Sequence, residues 1–86
     1  MEDKTSMYSV EEFNDAYVET LLVDIYDALV DRGYNATSQL VGYLMSGDPG
    51  YISSYQDARK KITSVDRSII LEFLLKKALG DNRWDI

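Results

Sequence analysis

The 86-residue chain contains no cysteine and no histidine. The first absence excludes a disulfide framework and thiolate metal sites. The second removes the commonest general base near neutral pH and the commonest metal ligand. Proline and tryptophan occur once each. No apolar run approaches the roughly 20 residues that cross a bilayer. The opening Met1-Glu2-Asp3-Lys4 is too acidic and polar for a signal peptide, so a cytoplasmic protein without membrane insertion is expected. Ser46-Gly47-Asp48-Pro49 lacks the Gly-Lys-Ser/Thr ending and the preceding strand of a phosphate-gripping loop, and reads better as a helix end followed by a turn. Asp48 alone offers too few oxygens for a hard cation. No catalytic set assembles, and neither a cofactor nor a metal is expected.

What is present suits a small folded domain. The hydrophobic fraction, 45%, is that of a globular protein rather than a disordered chain. At this length one domain is expected, with a limited core. Since no disulfide or metal can reinforce it, a second copy of the chain is the natural source of further buried surface, and a homodimer is expected.

The net charge of −6 is unevenly spread. Residues 1–34 carry nine acids against Lys4 and Arg32, a balance of −7. Residues 35–80 carry six bases against four acids, +2, and residues 81–86 add −1. Two readings follow: two separately solvated faces, or an acidic first helix meeting a mildly basic second half. The overall sign opposes nucleic acid, whose binding rests on phosphate contacts.

The chain divides into a flexible N-terminal tail (1–10), a helical domain (11–80) and a short C-terminal tail (81–86), in which Trp84 and Ile86 are the groups able to dock. Ser9 and Glu12 make a capping box for a first helix that runs to about Arg32. Its apolar stripe is Phe13, Tyr17, Leu21, Leu22, Ile25, Ala28 and Leu29, while Val18, Val23, Tyr26 and Val30 widen it. Gly33 fits the left-handed position that ends a helix. A central helix over 38–46, capped by Asn35, Thr37 or Ser38, has Leu40, Val41, Leu44 and Met45 as its apolar face. Gly42 within it suggests close approach of another helix, because glycine there costs ~1 kcal/mol of helix propensity. Gly47 ends it, and Asp48-Pro49-Gly50 forms a turn. A third helix over 54–63 starts at Ser53 or Ser54, with Gln56 or Asp57 reaching back. Ser64 caps a fourth over 65–79, with Ile69, Ile70, Phe73, Leu74 and Ala78 facing inward. Leu71 and Leu75 make that helix apolar on a second side. The expected class is all-α, a compact bundle of about four helices.

Chemistry-bearing residues concentrate between Gly33 and Arg59. Tyr26, Tyr34, Tyr43, Tyr51 and Tyr55 bracket the central helix, either as a packed cluster with hydrogen-bonded hydroxyls or as a surface that recognises a partner. Two rival functions stay open on residue types alone. One is a helix-turn-helix nucleic-acid binder built on the short helices near 35–45. The other is a small nucleotide-binding protein using Asp48, Arg59 and the tyrosines.

The central stretch resembles a known family. Asp24-Ile25-Tyr26-Asp27-Ala28-Leu29, then Arg32-Gly33-Tyr34-Asn35, then the string over 39–52 and Asp57-Ala58-Arg59 resemble the IreB/ReoM family of small Gram-positive regulators. The resemblance covers about residues 22–79 and is most specific over 41–49. It implies a non-enzymatic, α-helical, homodimeric cytoplasmic protein phosphorylated by a membrane Ser/Thr protein kinase with PASTA domains. It further implies a protein partner in the control of peptidoglycan synthesis and β-lactam resistance, in part of the family through Clp-dependent turnover of the enolpyruvyl transferase. The family's phosphoacceptor is a tail threonine after an acidic and a variable residue. Asp3-Lys4-Thr5 matches that pattern, making Thr5 the expected acceptor and Ser6 its substitute. Tyr34, Asn35, Gln39, Tyr43, Asp48, Tyr51, Asp57 and Arg59 become the expected partner-binding set. The chain departs from the pattern where the family has Pro (here Ala36), where it has Pro-Arg (here Ser53-Ser54), and in the thinned basic run at Thr63-Ser64-Val65-Asp66.

Overall fold

The computed structural model describes residues 10–80. The elements in chain order are α1 (Val10–Asp31), α2 (Ala36–Ser46), a 3-10 turn (Pro49–Tyr51), a second 3-10 turn (Tyr55–Asp57), α3 (Ala58–Thr63) and α4 (Arg67–Leu79). The class is all-α with four helices, as the periodicity implies. Thr5, Ser6, the Ser9 cap, Trp84 and Ile86 lie outside the described residues.

α1 is the spine against which α2, α3 and α4 pack. Its buried residues are Val18, Leu21, Ile25, Ala28 and Leu29, spaced by threes and fours along one face. Tyr17, expected on this face, points outward and its neighbour Val18 is buried instead, while the Phe13 side chain lies outside the described residues. Val23, Tyr26 and Val30 are exposed. At the far end Gly33 (φ 89°) donates its N–H to Val30 and Tyr34 donates to Leu29, the paired bonds of a Schellman ending.

The core also takes in Ala36 and Tyr43 of α2, Ile52 between the two 3-10 turns, Ala58 and Ile62 of α3, and Ile70 and Phe73 of α4. The inward face of α2 centres on Tyr43, with Leu40 and Leu44 packed at its edge. Val41 and Met45, expected inside, face out, Met45 at 82% exposure. On α4 only Ile70 and Phe73 are buried. Ile69, Leu74 and Ala78, also expected inside, are exposed because α4 packs on the bundle along one narrow line.

Three helix starts differ from expectation. The central helix begins at Ala36 rather than at 38, because Asn35, of the three possible caps, is the one that accepts the Ser38 N–H. The third helix begins at Ala58, because Gln56 (φ 51°) and Asp57 (φ 62°) both take left-handed backbone and break the helix expected from residue 54. The Ser53 hydroxyl accepts from the Tyr55 N–H at 3.1 Å within that bend. The fourth helix begins at Arg67 rather than at 65, because the Ser64 hydroxyl donates to the Lys61 carbonyl (2.6 Å) and closes α3 instead of opening α4.

Acidic α1 meets basic α4 within the chain. Lys76 Nζ lies 2.9 Å from Asp15 Oδ2, and Lys77 Nζ 3.6 Å from Glu19 Oε1. Pairs this exposed contribute ~1 kcal/mol at most, so they orient the packing more than they hold it.

Candidate functional site

The segment between Gly33 and Arg59 is a helix followed by a rigidly braced turn. Asn35, in extended backbone, caps α2 by accepting the Ser38 N–H on its side-chain oxygen at 3.0 Å. At the other end Gly47 (φ 77°) donates its N–H to the Tyr43 carbonyl at 2.7 Å, a left-handed helix ending. The Ser46 hydroxyl donates to the Gly42 carbonyl (2.7 Å) and accepts the Asp48 N–H (3.0 Å). Asp48 Oδ1 then accepts the Gly50 N–H at 2.9 Å. The turn expected at Asp48-Pro49-Gly50 thus forms with the aspartate as its internal fastener.

Two polar side chains from distant points hold the following strand of chain. Gln39 Oε1 accepts the Ser53 N–H (3.0 Å), and Arg59 Nε donates to the Ile52 carbonyl (2.8 Å). Between them Ile52 is fully buried. Amide and guanidinium groups of this kind satisfy a backbone that no ladder reaches.

Tyr51 packs its ring over α2. A Cβ built on Gly42 would meet the ring at 2.8 Å from Cε1 and 2.9 Å from Cγ. The close approach that Gly42 permits is therefore that of a ring from the neighbouring turn and not of another helix. Arg67 was visible in the sequence only as one more base. Its guanidinium lies against Gly47, 2.8 Å from where a Cβ would sit, and Nη1 donates to the Leu44 carbonyl at 3.1 Å. A cation at the first residue of α4 is disfavoured by its own helix dipole but favoured at the negative end of α2. That mismatch is the signal by which its role is recognisable.

The expected partner-binding residues separate into two groups. Gln39 and Arg59 brace the turn, and Tyr43, at 5% exposure, belongs to the core. Tyr34, Asn35, Asp48, Tyr51 and Asp57 are exposed. The five tyrosines do not pack as one group: Tyr26 and Tyr34 are exposed, and Tyr55 lies under the Arg32 guanidinium, 5.5 Å from its ring centroid. Among the described residues no three His, Cys, Asp or Glu side chains converge on a metal position, and no polar or charged residue is buried. No helix among them is long and apolar enough to cross a membrane. What the segment offers is a stiff, mixed polar and aromatic surface centred on Tyr51.

The model of the IreB regulatory phosphoprotein family matches residues 3–80. The matched span contains the whole described helical body. It also contains Asp3-Lys4-Thr5 and Ser6.

Proposed function

Because the chain belongs to the IreB regulatory phosphoprotein family, we propose that it is a non-enzymatic adaptor switched by phosphorylation of its N-terminal tail. A PASTA-domain Ser/Thr kinase modifies Thr5, with Ser6 as substitute, and the folded body presents Tyr34, Asn35, Asp48, Tyr51 and Asp57 to a protein partner in the cytoplasm. The observation that carries this reading is the family match from residue 3 onward, which takes in the acceptor motif together with the braced segment. A phosphate would add nearly two negative charges to a tail already holding Glu2 and Asp3. The partner sits in the control of peptidoglycan synthesis and β-lactam resistance, through Clp-dependent turnover of the enolpyruvyl transferase.

The protein acts as a homodimer in this reading. Leu71, Leu75 and Leu79 recur every four residues on one outward face of α4 and are all exposed, as a helix–helix seam requires. The experiment compares enolpyruvyl transferase levels in cells carrying wild type, Thr5→Ala and Thr5→Glu. The two variants are expected to shift the level in opposite directions, and only while the Clp protease is present. Equal levels in all three strains would refute the switch.

A further inference from the structure

An apolar groove of about 360 Å³ runs between α1, α2 and α4. Leu22 and Tyr26 form one wall, Leu40 and Leu44 another, and Phe73 and Leu74 the third. Its near end, towards the end of α4, carries Lys77 and Glu19, 3.6 Å apart. Asp27 adds a second acid to the lining. This groove lies on a different side of α4 from the Leu71, Leu75 and Leu79 face.

We propose that the groove is filled by the chain's own C-terminal segment, Asp81-Asn82-Arg83-Trp84-Asp85-Ile86, with Trp84 seated against Leu44 and Leu74. Three observations support this occupant. The first is reach. α4 ends at Leu79, and Gly80 (φ 84°, ψ 132°) takes the chain out of helical backbone. Leu74 lies ~9 Å back along the helix from Gly80 at 1.5 Å per residue, and the four residues to Trp84 extend to ~13 Å. The second is composition: Trp84 and Ile86 are the two large apolar groups of the segment, and they alternate with polar ones. The third is charge. The lining offers acids to Arg83, Glu19 at the near end and Asp27 farther along α1, and offers Lys77 to Asp81 and Asp85. The segment lies beyond the family match, which ends at residue 80.

Trp84 is the only tryptophan, so its fluorescence reports on the groove alone. In the full-length protein its emission is expected to be blue-shifted from that in urea, with acrylamide quenching reduced severalfold, and independent of protein concentration. Leu74→Glu, at an already exposed position, is expected to restore urea-like emission and quenching while far-UV circular dichroism stays helical. Leu75→Glu, on the other face of α4, is expected to leave Trp84 protected. Water-exposed emission in the wild type, or protection that survives Leu74→Glu, overturns the proposal. So does protection that is lost on dilution or in Leu75→Glu, since a second copy would then be covering the tryptophan.

Discussion

The ring of Tyr51 occupies the space that a side chain at Gly42 would fill. A helix and the turn that follows it are thereby locked face to face, and the exposed side of that ring is the centre of the proposed partner surface. Gly42→Ala gains helix propensity, ~1 kcal/mol, but drives a methyl group into the ring, an overpacking cost of about 1–3 kcal/mol. Net destabilisation is expected in chemical denaturation. In a Tyr51→Ala background the same Gly42→Ala change is expected to become neutral or stabilising. Additive effects would show that the two positions are not coupled.

Gln39 and Ser53 are joined across the same turn. Proline, which the resemblance would place at the serine's position, has no N–H to donate, so this bond depends on the serine. Gln39→Ala is expected to cost ~1 kcal/mol and to speed hydrogen exchange of the Ser53 amide roughly five- to tenfold. An unchanged exchange rate at Ser53 would remove the brace from the account.

Arg67 ties the start of α4 to the end of α2 through the Leu44 carbonyl. Arg67→Met keeps much of the side chain's length and removes the charge and the donors. A loss of about 1 kcal/mol is expected, read as a fall of roughly 4–8 °C in Tm for a domain of this size. Added salt should narrow the difference between wild type and variant.

Ala36 stands at the first residue of α2, directly after the Asn35 cap. That position tolerates proline, since its N–H has no partner within the helix. Ala36→Pro, the family's residue, is expected to raise stability by about 0.4–1 kcal/mol by restricting the unfolded chain. A fall of similar size would mean that the buried site has no room for the ring.

These residues also show what could be read from the sequence before the fold was known. The ends of α1 and α2 were readable because Gly33 and Gly47 are the residues that left-handed backbone demands. The break before α3 was not. Gln56 and Asp57 take the same backbone without a glycine, at a local cost of about 1–2 kcal/mol each, inside a bend that the Arg59 bond to the Ile52 carbonyl spans. Periodicity placed Ile25, Leu29, Ile70 and Phe73 inside but could not tell which apolar side of α2 or α4 would be covered, because that depends on how each helix sits on α1. Of the candidate site, the turn chemistry at Asp48 was readable. The bracing roles of Gln39 and Arg59 were not, since hydrogen bonds to backbone leave no pattern in spacing.

The central claim is a tail switch on a folded adaptor, and mass-spectrometric mapping of the purified protein after incubation with a PASTA-domain kinase tests it most directly. The account predicts phosphate on Thr5, moving to Ser6 in Thr5→Ala and absent when both are replaced by alanine. A chain left unmodified, or modified only within its helical body, would contradict it.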